Sequence, residues 1–423
     1  MTDRFVVLGA SNVSRGLARL AATVRARAGT HAAGPADLFV AAGHGRGYAV
    51  TSRVGLRRLP SILASGLWRA LDREQVAAPA AVVMDVGNEL LYGLGVAAVA
   101  AAVRTAVARL RDRGGRIVIL GLPRTGTTML QRLVSTDRRF IATRWYEVRF
   151  PVPALDWDFD DATDERIPFA KAEVAALIAA NPELLSIHPL DALAPDEDLM
   201  LLENCFLSSV PGSQVRMPGY NAFYEADDGR ISTAYHRKLL QFLQWQRRRA
   251  GHAVDGKPWL LKAPAHGSII DAMLAVYPGL RCITSHRDPL ACIPSISSLY
   301  VETWRIYSDR LDPSEAGRYT AHYYGEALER VRAATRREPG RFLDVEYEDL
   351  MKRQDEALER IYAFLGWPIT DEARRGFARW RAENPRDKRK PHHYAIEEFG
   401  LTREGLARTY AEYRASRGYD RGD

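Results

Sequence analysis

Apolar and polar positions alternate in a regular way between the N-terminus and residue 115. The runs RFVVLGA, ADLFVAAG and AAVVMDVG are typical of strands, whereas residues 14–27 and 96–114 have the spacing of amphipathic helices. The second of these helical patterns closes with arginines and Gly114–Gly115, which is a helix C-terminal signal. Strands that alternate with helices predict a parallel sheet covered by helices.

A fourth strand, RIVILG, follows at once, and beyond it the pattern becomes mostly helical. Sparse strands are predicted at PWLLKAP, RCITSHRDP and RFLDVEYEDL. RDRGGR is a break in composition, so we predict an α/β segment over 1–115 and a second domain over 116–423. Helices are predicted over residues 235–249, 269–277, 316–337 and 355–365.

Composition narrows the class of protein only a little. Apolar residues make up 47% of the 423 residues, which is enough for a sizeable core, and the formal net charge of +7 fits an anionic ligand. No Lys/Arg block is long enough to predict a nucleic-acid arm. The three cysteines form no CxxC pair, and no apolar stretch has the length of a signal peptide or a membrane span. We therefore expect a cytoplasmic protein in a reducing compartment.

The strand RIVILG runs into a glycine-rich turn and a helix start, GLPRTGTTML. Gly121 and Gly126 let backbone amides face inward, and the following helix offers N–H groups and a positive dipole end. The hydroxyls of Thr127 and Thr128 and the guanidinium of Arg124 add further donors. This pattern predicts an anion site.

The spacing of this turn matches the nucleotide triphosphatase loop GxxxxGK[ST], but the lysine position holds Thr127. Without that lysine the machinery for a γ-phosphate and magnesium is impaired. We therefore expect a different anion and no metal.

The segment GLPRTGTTMLQRL resembles the 5'-phosphosulfate loop of the sulfotransferases that use 3'-phosphoadenosine-5'-phosphosulfate (PAPS). The resemblance implies a P-loop-type parallel sheet with helices, and PAPS as co-substrate. The resemblance covers residues 116–418, and the segments in this range look like the bacterial branch of the family. It implies that the phosphosulfate is held by Arg124, Thr125, Gly126, Thr127 and Thr128.

A second anchor is predicted in CITSHRDPLACIPSISSLY, a strand followed by a serine-rich helix. Arg287 and Ser295 are eight residues apart, and a helix that begins near Pro289 would let both face the strand end. One guanidinium and one hydroxyl can clamp a single phosphate. The pair resembles the 3'-phosphate motif of the same family.

The acceptor must lose a proton during transfer, so a base is needed near the sulfate. Glu147 is our first candidate, because some bacterial members use a glutamate placed there; a structural ion pair with an arginine is the alternative. His188 and His266 are further candidates. Lys262, at the end of a strand, is expected to contact sulfate or acceptor, and the basic segment with His392–His393 to cover the nucleotide.

The N-terminal part resembles a different family, the SGNH/GDSL hydrolases, in its Ser, Gly, Asn order at successive strand ends. The resemblance implies a partial flavodoxin-like α/β segment with Ser11 as nucleophile and Gly43 and Asn88 as oxyanion donors. None of the ten histidines has an Asp three residues before it, so the family's Asp-x-x-His motif is missing. We interpret the segment as a truncated, inactive hydrolase.

Three functions remain open at this point. The first is sulfuryl transfer from PAPS to a hydroxyl or amine of a small-molecule, glycan or lipid acceptor, with release of adenosine 3',5'-bisphosphate. The second is an esterase that uses Ser11. The third is a nucleotide-binding or kinase-like protein, which the missing loop lysine disfavours.

Overall fold

The computed structural model describes residues 116–420 except 181, 183–188, 255, 309 and 386–393. Before residue 116 it describes residues 4–9, 37–42, 52–54, 57–59, 61, 62, 67 and 80–83. Internal contacts divide the chain into two compact units. One is Met1–Gly115 with Asp255–Lys257, and the other is Arg116–Val254 with Pro258–Asp423.

The first unit contains a three-stranded parallel sheet. Strand β1 (Arg4–Gly9) lies between β2 (Asp37–Ala42) and β5 (Ala80–Val83), and an antiparallel pair is formed by β3 (Ser52–Val54) and β4 (Arg57–Leu59). The three parallel strands coincide with the three predicted strands. The helices predicted at 14–27 and 96–114 lie outside the described residues.

The second unit is built on a four-stranded sheet whose strands are all parallel. Strand β6 (Ile117–Gly121) lies between β7 (Leu260–Lys262) and β8 (Arg281–His286), and β9 (Phe342–Glu346) is at the edge beside β8. The chain first places β7 on one side of β6 and then crosses to β8 on the other. Ligands of open α/β sheets bind at the carboxyl ends of the strands where such a switch occurs.

Side chains of β6 point alternately into two apolar cores, one on each face of the sheet. Val118 and Leu120 belong to one core, whereas Ile117 and Ile119 belong to the other. All four are at most 4% exposed. A parallel strand that is buried on both faces needs a continuous apolar run, which is why RIVILG has no polar alternation.

Helices cover both faces of this sheet. The helix that follows β6 is α1 (Thr127–Val134). The long segment between α1 and β7 contains a 3-10 helix at Asp198–Cys205. A second 3-10 helix, Pro264–Ile269, follows β7. The remaining α-helices of the described residues are α2 (Trp145–Arg149), α3 (Arg166–Ala180), α4 (Val210–Gln214), α5 (Pro218–Glu225), α6 (Arg230–Arg249), α7 (Ile270–Val276), α8 (Pro289–Arg305), α9 (Pro313–Arg337), α10 (Tyr347–Lys352), α11 (Gln354–Leu365), α12 (Asp371–Glu383), α13 (Arg403–Thr409) and α14 (Ala411–Arg417), and short 3-10 helices lie at Pro339–Arg341 and Ile396–Phe399.

The predicted α/β class with a P-loop-type parallel sheet is confirmed for this unit. The four helices predicted there correspond to α6, α7, α9 and α11, with boundaries that differ by a few residues. The flavodoxin-like character of the first unit stays a prediction. Among the described helices, none combines the length and the apolarity that crossing a bilayer requires.

Candidate active site

The turn after β6 is shaped by two glycines with different tasks. Gly121 has φ +135°, and a Cβ there would lie 2.2 Å from the carbonyl oxygen of Ser285 on the neighbouring strand, so a side chain cannot be accommodated. Gly126 has φ +82° and is the N-cap of α1. The turn therefore passes close to β8 and delivers its last residues into the first turn of a helix, whose N–H groups suit an anion.

Internal hydrogen bonds fix the shape of this turn. The Thr125 hydroxyl donates to the Leu122 carbonyl at 2.7 Å, and the Ser285 hydroxyl donates to the Thr125 carbonyl at 2.6 Å. Arg124 has φ +71°, a strained conformation for a residue with a side chain. Thr125 is fully buried, so its hydroxyl shapes the turn, and the side chains that line the adjoining cavity come from Arg124, Thr127 and Thr128.

The two predicted anion anchors meet in space although about 160 residues separate them in the sequence. Arg124 Nε donates to Ser295 Oγ at 3.1 Å, and Arg287 donates from Nη1 to the Arg124 carbonyl at 2.9 Å. The Arg287 guanidinium also lies over the Tyr347 ring, 4.4 Å from its centroid. Helix α8 places Ser295 because Asp288 accepts from the Leu290 amide and so fixes the first turn.

A cavity of about 710 Å³ opens in front of this turn at the carboxyl ends of the strands. One part of its wall is polar and cationic, with Arg124, Thr128, Arg287 and Arg381. Another part is apolar and aromatic. Its residues include Leu199, Val210, Pro264, Ala265, Leu299, Tyr300 and Tyr324.

Glu147, the first candidate base, lies away from the lining of this cavity and belongs to a buried ion pair. Its Oε1 accepts from Arg247 Nε at 2.6 Å, and its Oε2 accepts from a second Arg247 nitrogen and, at 2.8 Å, from the Arg144 amide. Burial alone would raise the pKa of Glu147, but Arg247 and Arg144 outweigh it and lower that pKa. With both oxygens bonded, Glu147 has the geometry of the structural ion pair, and its role as the base stays a prediction.

A second glutamate, Glu197, does line the cavity. Its Oε1 accepts from Lys262 Nζ at 2.7 Å, and the same ammonium donates to Thr128 Oγ1 at 3.1 Å. The Lys262 side chain is fully buried, while the Glu197 side chain is 27% exposed. Lys262 therefore links Thr128, in the first turn of α1, to a carboxylate on the cavity wall, and its contact with sulfate or acceptor stays a prediction.

Behind Glu197, the carboxylate of Asp198 organises a fully buried network. Its Oδ1 accepts from the Lys262 amide at 2.7 Å, and its Oδ2 lies 2.5 Å from His266 Nε2 and 2.9 Å from His236 Nε2. His236 Nδ1 is 2.8 Å from the Tyr277 hydroxyl. Burial alone would raise the pKa of Asp198, but the two histidines outweigh it and hold that pKa far below its usual range.

The side chains of Asp198, His236 and His266 are of the residue types that bind metals, and their donor atoms lie within 4.8 Å of one another. Two ligands of one tetrahedral ion stand about 3.3 Å apart, however. The 2.5 Å contact between Asp198 and His266 is instead a direct hydrogen bond. The arrangement fits a hydrogen-bond network better than a metal centre.

The other predicted site residues have separate outcomes. His266 is buried in the network behind Glu197 and does not line the cavity. His188, His392, His393, Ser11, Gly43 and Asn88 lie outside the described residues.

The sequence interpretation missed Glu197 and the Arg247 partner of Glu147. The segment APDED carries three acidic residues in a row of five, of which Asp196 and Asp198 are buried and Glu197 is not. That cluster was the available signal, but nothing in the pattern shows which carboxylate faces a cavity.

Two named relatives of this chain are both sulfotransferases. The chain is 29% identical over 266 residues to a protein of Mycobacterium bovis named omega-hydroxy-beta-dihydromenaquinone-9 sulfotransferase Stf3, and equally to its namesake in Mycobacterium tuberculosis. The alignment covers 59% of this chain and spans 62% of the length of each relative.

Two solved structures share the fold. Sulfotransferase STF9 from Mycobacterium avium is 26% identical, with a TM-score of 0.61 over 71% of this chain and 76% of that chain. Sulfotransferase STF1 from Mycobacterium tuberculosis H37Rv has a TM-score of 0.59 at 24% identity, over 77% of this chain and 90% of that chain. A family model described as the sulfotransferase family matches residues 116–371. Residues 116–371 contain the turn after β6, the segment from Arg287 to Ser295 and all four strands of the sheet built around β6, and the chain belongs to the sulfotransferase family.

Proposed function

We propose that this chain transfers a sulfuryl group from PAPS to an acceptor and releases adenosine 3',5'-bisphosphate. The observation that carries the proposal is the contact between the two anion anchors, in which Arg124 bonds Ser295 and Arg287 bonds the Arg124 carbonyl. Two arginines that line the same cavity suit a ligand with phosphate groups at both the 3' and 5' positions.

In this proposal the N-terminal amides of α1 and the hydroxyls of Thr127 and Thr128 hold the 5'-phosphosulfate. Arg124 and Lys262 stabilise the negative charge that builds on the bridging oxygen as the sulfur–oxygen bond breaks. Arg287 and Ser295 hold the 3'-phosphate. The resemblance implies the roles of Arg124, Thr127, Thr128, Arg287 and Ser295, whereas the role of Lys262 is proposed from its 3.1 Å contact with Thr128. The proposal is supported by the lining of one cavity by Arg124, Thr127, Thr128 and Arg287.

The acceptor is proposed to be an apolar alcohol. Support comes from the part of the cavity wall that Leu199, Val210, Leu299, Tyr300 and Tyr324 form. Burial raises the pKa of Tyr300 and that of Tyr324 well above the ordinary value, so both phenols stay neutral beside the acceptor. The Stf3 relatives are named for transfer to a hydroxylated menaquinone, which is also an apolar molecule with a hydroxyl group.

Thermal unfolding with three nucleotides tests the function. Adenosine 3',5'-bisphosphate at a hundred times its dissociation constant should add about 2.7 kcal/mol to the free energy of unfolding, without magnesium. AMP, which lacks the 3'-phosphate, should stabilise the protein less at the same concentration. Equal or greater stabilisation by ATP with magnesium would contradict the proposal.

For residues 1–115 we propose no esterase activity. The support is the missing Asp-x-x-His motif, since a serine hydroxyl is a poor nucleophile without an adjacent base. Hydrolysis of p-nitrophenyl acetate that disappears in Ser11→Ala would contradict this and favour the esterase alternative.

A further inference from the structure

Proton removal from the acceptor needs a group that faces the cavity, and Glu197 has the right surroundings. One of its oxygens, Oε1, is held by Lys262 at 2.7 Å. The other, Oε2, makes no hydrogen bond to any part of the chain that the structure describes, and the side chain is 27% exposed on the cavity wall. A carboxylate oxygen that is positioned but not occupied can accept the proton of a bound hydroxyl.

Glu197 is also close to the proposed site of the sulfate. Lys262 Nζ bridges Glu197 Oε1 and Thr128 Oγ1, so a single ammonium separates the carboxylate from the second residue of α1. An acceptor oxygen that enters from the apolar part of the cavity, past Leu199, would meet the sulfate and Glu197 Oε2 together.

The other groups on this wall are poorer proton acceptors. Tyr300 and Tyr324 are neutral phenols whose pKa values burial raises. The hydroxyls of Ser209 and Ser213 are weak bases. Glu383 is the second carboxylate among the described lining residues; it is the last residue of α12, whereas Glu197 is bonded to the Lys262 ammonium that contacts Thr128.

The Asp198 network holds Glu197 in place. Asp198 follows Glu197 directly, and its carboxylate accepts from the Lys262 amide and from His266, with His236 2.9 Å away. These contacts tie the backbone after Glu197 to the end of β7, where Lys262 lies. Asp198, His236 and His266 are therefore positioning residues for the Glu197–Lys262 pair.

We propose that Glu197 is the general base of the sulfuryl transfer, a proposal that rests on the function proposed above. The acceptor oxygen forms a bond to sulfur while its proton passes to Glu197 Oε2. The bond between sulfur and the bridging oxygen breaks, and the electron pair leaves with the 5'-phosphate of adenosine 3',5'-bisphosphate. Lys262 keeps Glu197 Oε1 in place and lies beside the departing charge.

The test compares Glu197→Gln with the wild type, using PAPS with decan-1-ol or ionised 4-nitrophenol as acceptor probes. Base loss should lower turnover with decan-1-ol about a hundred- to ten-thousandfold. Turnover with 4-nitrophenolate, which has no proton to lose, should fall far less. The affinity for adenosine 3',5'-bisphosphate should change by less than about threefold, because Glu197 does not hold the nucleotide.

Two further variants separate a base from a structural residue. In Glu197→Ala, added formate should restore part of the turnover with decan-1-ol, since a small carboxylate can occupy the vacated space. Glu203→Gln is the matched control, on the 3-10 helix that begins directly after Glu197; Glu203 pairs with Arg149 at 3.6 Å outside the cavity lining. Burial raises the pKa of Glu203, so a neutral glutamine should be tolerated and leave turnover unchanged.

The outcomes distinguish the two proposals. Glu197→Gln turnover with decan-1-ol within about threefold of the wild type, at unchanged nucleotide affinity, would overturn the base assignment alone. Equal losses with both acceptors and no rescue by formate would also overturn it. A wild type that binds the bisphosphate but transfers to neither probe would overturn the apolar alcohol as acceptor, and a wild type that fails to bind the bisphosphate would overturn the function itself.

Discussion

Two glutamates of this chain each have a cationic partner, yet their surroundings differ in every other respect. Glu147 is 3% exposed, and donors from Arg247 and Arg144 occupy both of its oxygens. Glu197 is about a quarter exposed, and Lys262 occupies only one oxygen. On the proposal made above, what separates the two residues is therefore an accessible carboxylate oxygen on the cavity wall and not the ion pair, which both of them have.

The largest effect is expected when the charge of Glu147 is removed. Glu147→Gln leaves the buried Arg247 without a counter-charge, and we expect the free energy of unfolding to fall by about 3–5 kcal/mol. Chemical denaturation measures the loss. The folded fraction should keep its turnover, because Glu147 lies away from the cavity lining.

A double variant supplies the control for this prediction. Glu147→Leu with Arg247→Leu removes both charges, so it should be more stable than Glu147→Leu alone. A Glu147→Gln protein of normal stability whose turnover falls a hundredfold would restore the base role predicted from the sequence.

The second prediction concerns Arg287, which is proposed to hold the 3'-phosphate of the nucleotide. Arg287→Ala should weaken the binding of adenosine 3',5'-bisphosphate by about 1.5–3 kcal/mol, the range for a hydrogen bond to a charged group. AMP, without a 3'-phosphate, should lose much less. Titration calorimetry with both ligands measures the difference, with Arg305→Ala, at an exposed position at the end of α8, as control. Equal losses for the two ligands would show that Arg287 does not hold the 3'-phosphate.

The third and smallest effect lies in the network behind Glu197. Burial lowers the pKa of His236, and the charges of His266 and Arg116 lower it further, whereas Asp198 raises it in part. The other ring nitrogen of His236, Nδ1, lies at hydrogen-bond distance from the Tyr277 hydroxyl. A histidine in an unfolded chain titrates near pH 6.5, so below that pH the unfolded state binds more protons than the folded state. Stability should therefore fall as the pH drops from about 6.5, by at most about 1.4 kcal/mol per pH unit from this group.

His236→Gln should flatten the pH dependence of the unfolding free energy in that window, because the substitution removes the titrating group. His252→Gln, at an exposed pair with Asp161, is the matched control and should leave the slope nearly as it is. A slope that is identical in His236→Gln and wild type would show that His236 does not contribute to the acid sensitivity.

Much of the second unit was predictable from residue patterns because local rules govern it. The continuous apolar run before Gly121 predicts a strand buried on both faces, and the glycines of the turn are dictated by positive φ and by the approach of Ser285. The start of α8 at Pro289 follows from Asp288 as a cap. The meeting of Arg124 with Ser295 could be expected only through the family resemblance.

Which acidic residue faces the cavity could not be predicted from the sequence, since that depends on long-range packing. Glu147 was the first candidate from its place after α1, but the guanidinium of Arg247, a hundred residues further along the chain, is hydrogen-bonded to its carboxylate. Glu197 is indistinguishable in sequence from its neighbours Asp196 and Asp198, both of which are buried. Only the tertiary arrangement shows which carboxylate reaches the cavity.

The most direct test of Glu197 as the general base is the single-turnover rate of sulfuryl transfer at saturating PAPS and decan-1-ol. It is measured in Glu197→Gln and Glu147→Gln at a temperature where both are folded. The rate in Glu197→Gln should be about a hundred- to ten-thousandfold lower than in the wild type, and the rate in Glu147→Gln should be close to wild type. The opposite pattern, with Glu147→Gln slow and Glu197→Gln normal, would contradict it.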